Sequence, residues 1–124
     1  SNVPLIIADS DLEKKSVGKQ IRQIDLFPTL IDLFDIDLSD DFDGESLLPL
    51  EDLEDRTAYI RACGTSLRSR KNWIKSIRTP EWKYVKYPFR SWDSELYDLK
   101  EDSQELVSIE DEKIKRKLER KIPY

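Results

Sequence analysis

Three stretches of the sequence hold residue types that do chemistry: the thiol in "ACGTSLRSR", the acidic run "DLSDDFDGE", and the basic-aromatic segment "KSIRTPEWKYVKYPFRSWD". Cys63 is the single cysteine, so no internal disulfide can form. A cysteine nucleophile needs a base or a cationic setting to lower its pKa. Arg61 and Arg68 are near in sequence, but the chain has no histidine to act as base. Cys63 therefore reads as a small apolar residue inside a strand. The same lack of histidine excludes a Ser/His triad and a His-ligated metal site built from this chain alone.

In the acidic run, Asp37, Asp41 and Asp43 miss the Asp-x-Asp-x-Asp-Gly order of a calcium loop, and no Glu closes it at the right distance. It reads as a solvated loop rather than a metal site. The basic-aromatic segment has two readings. Arg and Lys between Trp and Tyr can stack bases and neutralise phosphates. Strands with aromatics pointing inward and cations pointing out produce the same pattern. From Arg61 to Arg90 there are nine Lys or Arg and one acid, Glu81, while the whole chain carries a net charge of -5. Bulk charge thus argues against a nucleic-acid binder, and the asymmetry points to an anion site or to acid–base pairing within the protein. Three scattered glycines cannot make a phosphate-binding loop. The residues alone identify no catalytic group.

The elements that must position these residues are legible in outline. At 124 residues the chain suits one small domain or a piece of a larger one. Ser1-Asn2 reads as a cloning scar. "VPLIIA" (Val3 to Ala8) reads as a buried strand of a covered parallel sheet. Asp9 to Gln20 reads as a loop. In "IDLFPTLIDLFDI", Ile24, Phe27, Ile31 and Phe34 fall at helical spacing, widened by Leu26, Leu30 and Leu33, which predicts a helix with a broad buried face. Asp25 is its candidate N-cap, and Pro28 fits only its first turn. Gly44 is the candidate hinge of the turn-rich stretch that follows.

Residues 57–64, 73–79, 82–89 and 94–99 predict four strands separated by turn signals, with "TPE" closing an antiparallel hairpin. The adjoining pairs Trp73/Ile74 and Tyr84/Val85 break strict alternation, so both faces of this sheet are expected to be partly covered. "SIEDEKIKRKLERKI" predicts a terminal helix with Ser108 as candidate N-cap and Ile114, Leu118 and Ile122 facing the sheet. The fold class is α+β. A strand–helix piece spans 3–55, and a four-stranded antiparallel sheet with a C-terminal helix spans 56–124. No run approaches the length of a membrane span.

Four motifs in order resemble the late part of the sulfatase family, within the alkaline phosphatase superfamily. They are Val3-Pro4; Ile24-Asp25 with Pro28-Thr29-Leu30; Gly44-Glu45-Ser46-Leu47-Leu48-Pro49-Leu50; and Arg78-Thr79 with Lys83-Tyr84, followed by Glu95 to Leu99, Asp102 and Glu105. Ser103 stands where the family has Pro, and Ser108 where it has Asn. The resemblance implies that this chain is the C-terminal part of a sulfuric ester hydrolase. It implies a parent with a formylglycine nucleophile and a divalent cation, calcium, both upstream of Val3. Cys63 does not match the family's nucleophile motif, because Thr65 and Leu67 occupy its Pro and Arg positions. No catalytic or metal-binding residue is therefore carried over. Arg90 and Trp92 are the candidate substrate-lining residues. The expected partners are the N-terminal catalytic part of the same polypeptide and the parent's sulfate-ester substrate, with no nucleic acid and no membrane. A phosphodiesterase or phosphonate hydrolase, and a freestanding anion-binding module, are the alternatives. Apart from its neighbours, the apolar strand–helix piece is expected to cover itself by self-association or altered packing.

Overall fold

In the computed structural model, residues 3–10, 12–38, 41–62, 73–90 and 93–123 are described. Cys63 and Trp92 lie outside the described residues.

The sheet is a meander. β1 (Ala58–Ala62), β2 (Ile74–Arg78), β3 (Trp82–Lys86) and β4 (Glu95–Asp98) pair antiparallel in sequence order. Thr79 and Trp82 close the β2–β3 hairpin, the Thr79 N–H donating to the Trp82 carbonyl at 2.8 Å. Register sorts the side chains onto two faces. Ile77 opposes Tyr84, and Tyr84 opposes Leu96, so these three share one face. Leu118 and Ile122 complete the core there, with Trp82, Ile109 and Ile114 packed around it. Ser76 and Val85, on the opposite face, are also buried, so both faces are at least partly covered, as the broken alternation suggested.

The terminal helix α2 (Glu112–Glu119) starts later than expected. Its N-cap is Asp111, whose carboxylate accepts the Ile114 N–H at 3.0 Å. Ser108 instead serves the sheet edge: its hydroxyl accepts the Leu96 N–H, and the Ile109 N–H donates to the Leu96 carbonyl. Residues 108–109 thus run along β4, and the helix turns inward only after they have covered that edge.

The N-terminal part departs further from expectation. Val3 to Asp9 form no strand, and Val3 and Ile6 stay 84% and 87% exposed. β-branched residues favour a strand only where a neighbour takes up the backbone N–H and C=O groups, and no described strand does so here. Helix α1 (Leu26–Leu33) forms where the spacing predicts it, preceded by a short 3-10 turn, Gln23–Asp25. Its burial is inverted. Pro28 and Thr29 are buried, while Ile24, Phe27, Leu30 and Phe34 are about half exposed or more. Of the apolar stripe, Leu26, Ile31 and Leu33 are half-buried and Phe27 meets Phe42 edge to face at 5.3 Å, while Ile24, Leu30 and Phe34 stay about half exposed or more. No helix among the described residues is long and apolar enough to cross a membrane.

Candidate functional site

The best-defined polar constellation lies where two of the sequence motifs meet, around a carboxylate with no solvent exposure. Asp25 sits at the junction of the 3-10 turn and α1. Its Oδ1 accepts from Arg22 Nη2 at 2.8 Å and from the Glu45 N–H at 3.1 Å. Its Oδ2 accepts from the Arg22 N–H at 3.0 Å and pairs with Arg56 Nη1 at 3.0 Å. Thr29 extends the clamp: its hydroxyl donates to the Asp25 carbonyl at 2.6 Å and accepts the Leu47 N–H at 3.0 Å. Arg56 closes it by donating to the carbonyls of Glu45 and Ser46.

Burial pushes the Asp25 carboxyl up, but the Arg22 guanidinium, the two backbone N–H groups and Arg56 outweigh it and hold the pKa at about 2. The carboxylate is a fully engaged structural anion. A cation would have to displace two guanidinium groups to reach it. Gly44 lets the loop seat against α1, because a Cβ there would stand 2.0 Å from the Ile24 carbonyl oxygen. The role is close backbone approach rather than the expected hinge. Gln20 links the clamp to the sheet, its side-chain amide donating to the carbonyls of Arg56 and Arg78.

A second cluster gathers the remaining motif residues. Glu105 accepts from Arg78 Nη1 at 2.6 Å and from Lys83, and the two cations hold its carboxyl below the usual range against the effect of burial. Lys83 also lies 5.9 Å from the centre of the Tyr97 ring. Tyr97 and Tyr87 both donate to Glu95, and burial together with that carboxylate pushes the Tyr97 hydroxyl up to about 12. Asp102 accepts the N–H groups of Leu106 and Val107. Lys86 pairs with Glu119, so Arg78, Lys83 and Lys86 of the basic stretch meet acids from later in the chain, while its one acid, Glu81, pairs with Lys100. The basic-aromatic segment is a sheet whose cations are met by the acids that follow it in sequence.

Of the two candidate substrate-lining residues, Arg90 is exposed on the turn after β3, its guanidinium 3.6 Å from Asp93. Asp37, Asp41 and Asp43 are exposed, and among the described residues no three His, Cys, Asp or Glu group as metal ligands. A cavity of about 490 Å³ between residues 12–15, Asp32 and 48–51 holds Lys15 paired with Glu51, without a convergent set of catalytic groups. Arg22 and Arg56 escaped the sequence reading. The three-residue step from Arg22 to Asp25 was a readable sign; the reach of Arg56 across 31 residues left none.

The description N-sulphoglucosamine sulphohydrolase, C-terminal, belongs to a family whose model matches residues 1–123. Arylsulfatase K of Gallus gallus is 30% identical over 124 residues, which cover 88% of this chain and 22% of that protein. Arylsulfatase K of Bos taurus is 27% identical over the same shares. A solved structure of BT4656 in complex with its substrate D-glucosamine-2-N,6-O-disulfate aligns with a TM-score of 0.58 and 25% identity, covering 77% of this chain and 22% of that one. The chain thus spans about a fifth of the length of the relatives it matches.

Proposed function

We propose, for a chain that belongs to the N-sulphoglucosamine sulphohydrolase C-terminal family, that it completes a larger hydrolase acting on sulfate esters or sulfamates of a sugar. Its own role is structural. It brings no nucleophile and no metal ligand, and the rest of the polypeptide supplies formylglycine and calcium. The observation that carries this reading is the inverted helix α1. One side is locked to the loop at 44–47 and to Arg56 by the Asp25 clamp, and the other leaves Ile24, Leu30 and Phe34 about half exposed or more, with Phe27 edge-on to Phe42 and still 53% exposed. A rigid frame under an uncovered apolar face is a surface prepared for a partner. Here that partner is the catalytic part of the same polypeptide. Residues 3–9 take up strand structure when a neighbouring strand of that part lies alongside. Residues 3–55 then belong to the larger domain and 56–124 form the appended sheet. Arg90, and Trp92 two residues on, line the substrate entrance in the assembled enzyme.

The test is sulfate release by the whole natural polypeptide and by this chain, assayed on N- and O-sulfated glucosamine. Release by the whole and none by the chain supports the reading. Release by the isolated chain, or a natural polypeptide without an upstream Cys/Ser-x-Pro/Ala-x-Arg motif, contradicts it and favours the freestanding module. In the whole enzyme, Arg90→Ala is expected to raise KM about tenfold with little change in kcat, as loss of a binding contact does.

A further inference from the structure

The two edges of the sheet are finished differently. The β4 edge is covered: the Ser108 hydroxyl accepts the Leu96 N–H, and the Ile109 N–H donates to the Leu96 carbonyl. β1 forms the other edge and pairs only with β2. In an antiparallel strand every second residue turns its N–H and C=O away from the neighbour it pairs with. Along Ala58–Ala62 nothing among the described residues takes up those outward groups. Proteins guard a free edge with a proline, a bulge or a charge set along it. β1 has no proline, and its register with β2 runs without a bulge. Its one charge is drawn aside, with Arg61 Nη2 donating to the Pro123 carbonyl at 2.7 Å. Four of its five residues are exposed, among them Tyr59 and Ile60.

The strand fits a second copy of itself. Turned through a twofold axis at Ile60, "AYIRA" meets its own sequence in antiparallel register. Ile60 then opposes Ile60 of the second copy, Ala58 opposes Ala62, and Tyr59 opposes Arg61. No like charges stand opposite each other, which is the arrangement that cross-strand pairing must avoid. The faces also match. Ile60 shares a face with Ser76 and Val85, so the buried strip of one copy runs on into that of the other. Tyr59 and Arg61 lie on the other face, where a guanidinium beside a phenol ring makes a cation–π pair, repeated at both ends of the seam by symmetry.

We propose that β1 pairs with β1 of a second copy of this chain, joining two four-stranded sheets into one of eight strands. Five residues a side make a seam smaller than that of a standard stable interface, so the dimer is weak and forms as concentration rises. The proposal does not depend on the hydrolase reading. It uses a different surface from the α1 face, which is kept for the catalytic part.

The experiment is sedimentation equilibrium of this chain carrying Phe27→Ser and Phe34→Ser, which removes association through α1. Two further variants enter that background: Tyr59→Lys alone, and Tyr59→Lys with Arg61→Glu. The first sets a lysine against Arg61 of the second copy at both ends of the seam; the second sets that lysine against a glutamate. The expected result is a dimer that Tyr59→Lys weakens about tenfold and that the added Arg61→Glu restores to within about threefold. Thermal melts at low concentration check that each variant folds. Hydrogen exchange supplies a measurement that needs no edge variant: alternate amides of Ala58–Ala62 in the background chain should slow as concentration rises. A monomer at every concentration, a dimer untouched by Tyr59→Lys, or one that Arg61→Glu fails to restore would overturn the proposal. So would exchange at 58–62 that ignores concentration. Slow exchange of these amides in the whole natural polypeptide at every dilution would overturn it too, because a strand of the catalytic part would then hold the edge.

Discussion

α1 and α2 are both eight residues long, yet their faces are arranged in opposite senses. α2 turns Leu118 into the sheet and Lys113, Arg116 and Lys117 to solvent, with Lys115 buried against Glu110. α1 buries Thr29 beside the Asp25 clamp and leaves Phe27, Leu30 and Phe34 outside. The first helix is held in place by hydrogen bonds and charge, the second by apolar burial. The difference separates a part of the chain that is complete in itself from a part that is shaped for something else.

Removing the polar anchor gives the largest expected effect on the α1 side. Asp25→Ala leaves Arg22, Arg56 and the Glu45 N–H without their acceptor, a loss of about 3–5 kcal/mol for a broken buried ion pair. Urea unfolding followed by a probe in the first 55 residues measures it. If α1 were held by apolar packing instead, Asp25→Ala would cost far less. The same group makes stability pH-dependent. Its folded pKa of about 2 lies below the ordinary 3.8, so its contribution is complete above pH 4 and is lost as pH falls toward 2. The shift corresponds to about 2.5 kcal/mol at 1.36 kcal/mol per unit, and acid titration of the Asp25→Ala variant should lack that component.

On the α2 side the largest effect comes from the core. Leu118→Ala opens a cavity against Ile77 and Leu96 and is expected to cost about 2–4 kcal/mol. Asp111→Ala removes the N-cap and should cost about 1 kcal/mol, visible as a small drop in Tm. The smallest stability effect is expected where an ordinary apolar stripe would give a large one. Phe27→Ser with Phe34→Ser should change the isolated chain by less than about 1 kcal/mol, because both rings are already mostly in solvent. The same variant should reduce concentration-dependent self-association in sedimentation.

The sheet was legible in the sequence because its strands carry their own evidence. Each is a β-branched or aromatic run bounded by turn residues, and each finds its pairing partner within about twenty residues of chain. The stripe of Ile114, Leu118 and Ile122 was legible for the same reason, since its cover lies within the chain. The strand at Val3 to Ala8 was not. The residues have the right propensity, but a strand is a property of a pair. The α1 stripe misled in the same way: helical spacing shows that a face is apolar, not that anything in this chain covers it. Asp111 displaced Ser108 as the cap because the chain first spends Ser108 and Ile109 on the β4 edge. The Asp25 clamp was half visible, with Asp25 seen as a cap and its true partners, Arg22, Arg56 and Glu45, unseen. The family resemblance set these motifs in order along the chain without saying that they contact one another.

The measurement that tests the central claim most directly is the stability of the Phe27→Ser, Phe34→Ser double variant in two settings, this chain alone and the whole natural polypeptide. The account predicts a change below about 1 kcal/mol in the chain and a loss of about 3 kcal/mol or more in the whole, where both rings are buried against the catalytic part. Equal, small effects in both settings would mean that the α1 face has no partner in the enzyme, and the account of this chain as the completing piece of a larger domain would be wrong.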